Sequence, residues 1–467
     1  MCKARFLLAV FWFAGLSAAC EPMLDKGVPK GENIPPEKSA FVRFLVGSSP
    51  AQTVTMRDQA ETLAVVPVRS ASPFVERKAG PSLLSLFGDG NRLCETGLWL
   101  APESQTLLVA FSRPDEDPTC PLQKMAAFPM GKRDKNAARV RLAHLSFDAP
   151  TLSLRDESGA HWFRSVSSGT YSAYATLGRS IQKGEVLRLQ GGTEETPLYE
   201  WTTEEPLPLD TATTLVAVGG VNPLLSANDF FSLLSLHEES GAVAEIPLAP
   251  VATAPSGPVF LFHANGDVGA VETRSDGKDL FGKTAFLQGS ALVSLLPGTR
   301  KLSIDEAGER IWQGDFRLWP GRGWFVLLLG DKKTPKLLAL PKVERVPQTI
   351  FRLVHAIEGA GAVDLLDGDI EIVKSLAYGA ATDPATGFAL RKKTLRLRDR
   401  ATGASWDIVL PEAAVLASMD QVVSLVLAGN AKPGGAISAH LLIESRVGKE
   451  TPVPVYSLPT SPTLYTP

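Results

Sequence analysis

Six histidines are spread over 467 residues, and three of them, His144, His263 and His355, each end an apolar run of the same kind. An imidazole at a fixed place is a candidate metal or ligand contact. A zinc site draws several ligands from a short list of side chains, however, and none of these histidines has a second ligand at fixed spacing. The expectation is that each ring bonds backbone at a turn and satisfies groups at a strand end. Asp364, Asp367 and Asp369 offer carboxylates to a hard cation such as calcium. Asp367-Gly368 is also a hairpin signal, and the turn is the reading taken. His237-Glu238-Glu239 lacks the second histidine of an H-E-x-x-H motif and is expected to be a charged loop. No serine stands in a G-x-S-x-G elbow, and Gly191-Gly192 and Gly434-Gly435 lack what a phosphate loop needs. Neither catalytic residue, metal nor cofactor is expected.

Cysteine chemistry points elsewhere. Lys3 and Arg5 precede an apolar stretch from Phe6 to Gly15, followed by Ser17, Ala18, Ala19 and Cys20. That is the order of a secretory signal, with an apolar stretch shorter than the ~20 residues a spanning helix needs. Ser17-Ala18-Ala19 suits ordinary signal peptidase, while Leu16-Ser17-Ala18-Ala19-Cys20 looks like a bacterial lipobox whose leucine lies four residues before the cysteine instead of three. Both cuts stay open, and acylation of Cys20 is the expectation. Cys2 leaves with the signal, so an acylated Cys20 leaves Cys94 and Cys120 as an even pair in an oxidising compartment. A bridge between them would add roughly 3 to 4 kcal/mol in the chain-entropy view; two buried thiols are the alternative.

The elements that would hold these residues are strands. A net charge of −3 and a pI near 6.1 give no basic footprint for nucleic acid. Residues 20–40 are rich in Pro, Lys, Glu and Gly and read as a tether behind residues 1–19. Four parts follow, at 41–130, 137–247, 257–342 and 348–447, and a Pro/Ser/Thr-rich tail at 448–467. Each part opens on an apolar strand: Phe41 to Leu45, Arg139 to His144, Val259 to His263, and Phe351 to His355. Each carries an alternating strand midway, then a turn, then Cys94, Trp201, Trp312 or Trp406. Each closes on a strongly apolar strand, Leu107 to Phe111, Leu215 to Val218, Val326 to Leu329, or Leu425 to Ala428. The fold class expected is all-β, as four tandem antiparallel β-sandwich domains of about seven strands, Ig-like or transthyretin-like. Helix is expected to be scarce, with segments such as Asn228 to His237 and Pro411 to Met419 forming a short turn or two. The recurring tryptophans are expected to be one core aromatic per sandwich, and Leu395-Arg396-Leu397-Arg398, after Arg391-Lys392-Lys393, a strand with a solvated basic face.

The run from Arg139 to Pro150, R-V-R-L-A-H-L-S-F-D-A-P, resembles the opening motif of the bacterial domain-of-unknown-function 4397 family. Leu215-Val216-Ala217-Val218-Gly219 is similar to that family's last strand. Arg352 to His355, Ala362 to Gly368 and Leu376 to Gly379 resemble three successive stretches of the same pattern. The third part keeps His263 and Phe281-Gly282 but lacks the Asp-Ala-Pro turn, and the first lacks the histidine. The resemblance implies exported β-sandwich domains, often in tandem and often on lipoproteins, with no known activity.

Taken together, these features describe a non-enzymatic exported lipoprotein, outer-membrane or cell-surface, or else periplasmic or secreted. Its partners would be the membrane, through the lipid on Cys20, and an envelope polysaccharide or another envelope protein, with no nucleic acid. The alternatives are an envelope hydrolase with a site assembled between domains and a purely structural spacer.

Overall fold

The computed structural model describes residues 38–49, 51–112, 123–131, 134–192, 196–225, 229–342, 350–382, 394–410, 422–431, 437–443, 455–458 and 460–462. Cys20 with the export segment, Cys120, Arg391 to Lys393 and Pro411 to Met419 lie outside these residues.

Among the described residues the structure is all-β. Copy 1 of the strand pattern runs β1 (Ser39–Val46), β2 (Thr53–Asp58), β3 (Glu61–Pro67), β4 (Ser70–Ala71), β5 (Val75–Lys78), β6 (Gly80–Gly88), β7 (Asn91–Leu100), β8 (Gln105–Ser112) and β9 (Gln123–Pro129). Copy 2 runs β10 (Ala138–His144), β11 (Leu152–Asp156), β12 (His161–Val166), β13 (Thr170–Tyr171), β14 (Ala175–Leu177), β15 (Val186–Gly191), β16 (Thr196–Thr202), β17 (Ala212–Val218), β18 (Ser232–His237), β19 (Val243–Ile246) and β20 (Ala249–Pro250). Copy 3 comprises β21 (Gly257–His263), β22 (Val271–Ser275), β23 (Lys278–Thr284), β24 (Val293–Leu295), β25 (Gly298–Glu306), β26 (Glu309–Leu318), β27 (Trp324–Gly330) and β28 (Pro335–Pro341). Copy 4 comprises β29 (Ile350–Glu358), β30 (Val363–Asp367), β31 (Ile370–Leu376), β32 (Thr394–Asp399), β33 (Ser405–Val409), β34 (Val422–Asn430), β35 (Ile437–Ile443), β36 (Val455–Leu458) and β37 (Thr460–Pro462).

The wiring repeats. In copy 1 one sheet has the order β4-β1-β8-β9, with β5 also on β1, and the other has β3-β2-β6-β7. Copy 3 gives β24-β21-β27-β28 and β23-β22-β25-β26. Copy 4 gives β29-β34-β35-β36 and β31-β30-β32-β33-β37. The sheets are antiparallel except at one seam: opening and closing strands pair in parallel as β1–β8, β10–β17, β21–β27 and β29–β34. The closing apolar strand is also not the last, because an antiparallel neighbour (β9, β18, β28, β35) follows it in every copy.

Parallel strands read as continuous apolar runs because both faces are covered. Here the two faces enter different cores. Val42, Phe44 and Val46 of β1 and Leu108 and Ala110 of β8 enter the sandwich core of copy 1, with Val54, Met56, Leu84 and Leu86. Leu45, Leu107 and Val109 enter a second core with Ala143, Val216, Val218 and Leu234 of copy 2. In copy 4, Leu353, Ile357, Leu425 and Leu427 point into the sandwich, and Val354, Ala356, Val426 and Ala428 into a core with Phe260, Phe262, Phe325 and Leu327 of copy 3. Period-two alternation therefore divides one apolar strand between its own sandwich and the neighbouring copy.

The chain forms two compact units: the first holds copy 1 and the sheet of copy 2 that shares its outer core, the second holds copies 3 and 4 together with most of β15, β16 and β20 of copy 2. Unit 1 is Met1–Val186, Thr202–Gly220 and Phe231–Pro247; unit 2 is Leu187–Trp201, Val221–Phe230 and Leu248–Pro467. Independent beads on a string would not share these cores. Two segments also differ from their sequence reading. Residues 232–237, expected within a helical turn, are strand β18, where Leu233, Leu234 and Leu236 are buried. The expected tail contributes β36 and β37, which add to β35 and β33. Pairing satisfies backbone groups that composition alone leaves to solvent. Among the described residues no helix is long and apolar enough to cross a membrane.

Candidate functional site

The three equivalent histidines hold turns. His144 Nε2 donates to the Pro150 carbonyl at 2.9 Å, His263 Nε2 to Gly269 at 2.7 Å, and His355 Nε2 to Gly361 at 2.9 Å, each six residues ahead. The other nitrogen, Nδ1, accepts from the Asn265 N–H and the Ile357 N–H at 3.3 Å in copies 3 and 4. Donating from one nitrogen and accepting at the other requires the neutral ring. Burial agrees, pushing all three imidazoles below their ordinary value despite the backbone bond's opposite pull.

A second latch occurs in every copy and escaped the sequence reading. Ser72, Ser172, Ser290 and Thr382 accept the opening-strand N–H of Phe44, Leu142, Leu261 and Leu353 at 2.9–3.0 Å. Their own N–H groups donate back to the carbonyls of the same four residues. The spacings of 28, 30, 29 and 29 residues were the available signal. This reciprocal pair ties the segment that returns beside the opening strand to that strand in each copy.

The expected charged loop is a turn with Glu239 exposed, but Glu238 within it is buried. In unit 1, Glu238 is 4% exposed, Arg43 2% and Arg141 1%. Thr214 and Tyr174 hydroxyls donate to Glu238 Oε1, and Arg141 Nη2 stands 3.4 Å from it. Arg43 donates to the carbonyls of Glu238 and Glu239 at 2.6 and 3.0 Å and lies over the Phe74 ring. Arg141 also donates to the Pro129 carbonyl at 2.7 Å, and in unit 2 Arg352 does the same to Pro341 at 2.7 Å. Each arginine thus fastens the opening strand of one copy to the last strand of the copy before. A buried carboxylate is tolerable because its partners neutralise it and bond its oxygen.

Asp367-Gly368 makes the hairpin turn between β30 and β31, and Asp364 lies within β30. It is fully buried, accepts from the Ser375 N–H at 2.8 Å and pairs with Arg398 at 2.6 Å and Arg400 at 3.4 Å. Burial alone would raise its pKa, but the Ser375 bond and the two guanidiniums hold it low. Arg398 also meets Glu371, and Arg396 meets Asp407, so the basic face of β32 is paired. Leu395 and Leu397 fill the sandwich as the alternation predicts. Of the recurring tryptophans, Trp201 is buried, Trp406 packs partly against the copy 4 core, and Trp312 is half-buried, lying across Gly314. The fully enclosed tryptophans of unit 2 are Trp319 and Trp324, which the repeat comparison passed over. Cys94 is buried in the copy 1 core, opposite Leu86.

One open cavity, of about 390 Å³, lies in copy 2 against β12 and the loop after it. Arg164, Ser165, Ser167, Thr170, Tyr171 and Tyr174 line it, and no carboxylate does. Tyr174 is fixed by Glu238 and by the Gly131 N–H, which donates to its hydroxyl at 3.0 Å. Tyr171 sits edge-on to Phe128 at 5.1 Å and keeps 46% of its surface exposed. Ser165 has φ of 48°, but so does its equivalent Ser375 at 54°, each in the same bulge. That strain belongs to the fold.

No family model matches the chain, and no curated protein matches it. Among solved structures, the Bacillus anthracis TIE protein shares 8% identity at a TM-score of 0.15, with 64% of this chain and 52% of that chain covered. The present chain thus spans about half the length of that protein, and a likeness at this score carries no argument.

Proposed function

We propose that this is an exported, non-enzymatic protein, held at the bacterial envelope by a lipid on Cys20, that displays four β-sandwich domains to an envelope polysaccharide or another envelope protein. The observation that carries the reading is how the ionisable side chains are used. His144, His263, His355, Glu238, Arg141 and Asp364 are among the buried groups from which a reaction centre would be built, and each of these six is bonded into a turn, a strand or a joint between copies. Binding through loops on a rigid scaffold is the use that such an arrangement favours. The signal ahead of Cys20, the Pro-rich stretch behind it and the resemblance of copies 2 and 4 to exported tandem domains support the address. A Cys94–Cys120 bridge, closing the loop between β7 and β9, belongs to the same proposal.

Fractionation of bacterial cells tests it. Wild-type protein is expected in the membrane fraction, released by detergent, and Cys20→Ser in the soluble periplasm or medium. Wild-type protein that stays soluble would refute the anchor.

A further inference from the structure

The four copies align bond for bond, so their loops can be compared residue by residue. The N–H of Arg69, Gly169, Leu287 and Gly379 donates to the carbonyl of Val46, His144, His263 and His355, which fixes the register ahead of the four hydroxyl latches. In that register copy 2 has Ser167, Ser168 and Gly169 where copy 3 has Ala285, Phe286 and Leu287 and copy 4 has Ala377, Tyr378 and Gly379. Ser167, Thr170, Tyr171 and Tyr174 line the cavity. The Phe286 and Tyr378 rings lie edge-on to His263 and His355 at 6.0 and 5.8 Å. Ser168 at the same position in copy 2 instead donates its hydroxyl to the Ser146 carbonyl.

Charge separates the copies as well. Arg164 stands where copy 4 has Lys374, which faces Glu371 at 4.0 Å. Arg164 is exposed and has no ion-pair or hydrogen-bond partner among the described residues. Ser165 and Ser167, both exposed, line the same cavity, as does the half-exposed Tyr171.

We infer that this cleft of copy 2 binds an acidic oligosaccharide. Tyr171 offers a flat apolar surface to a sugar ring, as aromatic side chains do where one face is dry and the other wet. The serine and threonine hydroxyls serve as both donors and acceptors, matching sugar hydroxyls. Arg164 supplies the fork for a uronate carboxylate. Tyr174, pinned from behind by Glu238, gives the cleft a fixed wall. The inference deepens the display reading by naming its ligand class, and it concerns the folded protein whether or not Cys20 carries lipid.

The test is calorimetric titration of the purified mature protein with tetragalacturonate and with its fully methyl-esterified form. Tetragalacturonate is expected to bind. The neutral ester and Arg164→Gln should each weaken binding about tenfold, as losing a hydrogen-bonded charge pair does. Tyr171→Ala should weaken it about fivefold, while Lys278→Gln, an exposed change in copy 3, leaves it unchanged. Arg164 is exposed, so unchanged circular dichroism is expected and Arg164→Lys should keep part of the affinity. Absence of binding, equal binding of the ester, or full binding by both Arg164→Gln and Tyr171→Ala would overturn the inference. None of these results touches the fractionation test.

Discussion

Replacing His440 by leucine should remove about 2.5 kcal/mol of the stability that unit 2 loses in acid. His440 is 1% exposed on β35, paired with Val426, with its ring 6.1 Å from Phe262 in the core shared by copies 3 and 4. Its counterpart in copy 2 is Leu234, opposite Val216, so the position takes leucine readily. Burial lowers the imidazole from its ordinary 6.5 to about 4. Because the folded state resists protonation, the unfolded chain takes up a proton first as the pH falls. Stability is therefore complete above 6.5, declines from 6.5 to about 4, and is level below. Over that window the loss is about 3 kcal/mol, at roughly 1.4 kcal/mol per tenfold change in proton affinity. The assay is urea unfolding of wild type and His440→Leu at pH 8 and pH 4.5, roughly the ends of the useful range. The other buried histidines occur in both proteins and cancel in the difference. The variant should lose about 2.5 kcal/mol less than wild type between the two pH values. Parallel losses in the two proteins would refute the reasoning.

Other expectations follow from single contacts. Ser290→Ala leaves the buried Leu261 N–H without its acceptor and should cost about 1–2 kcal/mol by thermal or urea unfolding. Glu238→Ala strands the Arg141 guanidinium in unit 1 and should cost about 3–5 kcal/mol, with Glu238→Gln less harmful because the amide oxygen still accepts from Thr214. Gly257→Ala would set a Cβ at 2.1 Å from the Arg322 carbonyl oxygen; the backbone has to shift, and a loss of about 2 kcal/mol or more is expected on unfolding.

The strands were legible because alternation and turn residues are local. Asp89-Gly90, Asp276-Gly277 and Asp367-Gly368 all sit at hairpin tips, with left-handed Asp89, Asp276 and the glycines supplying the backbone the turns need. The recurring His was legible too, since it holds the same place in the three copies that carry it. The partner of each outward face was not legible. Leu45 and Val354 look like any strand residue, and only the assembled chain reveals the core each enters. For the same reason Glu238 read as a loop acid: Arg43, Arg141 and Tyr174 lie far from it in sequence. The copy 2 cleft was hidden because Ser167, Thr170 and Tyr171 are ordinary turn and edge-strand residues until Arg164 is seen beside them.

The claim at the centre of this account is an exported protein tethered at Cys20, and mass spectrometry of mature protein from its native membrane tests it most directly. The predicted result is an N-terminus at acylated Cys20, together with a peptide linking Cys94 to Cys120. An unmodified Cys20 at the N-terminus, or a chain retaining residues 1–19, would contradict it.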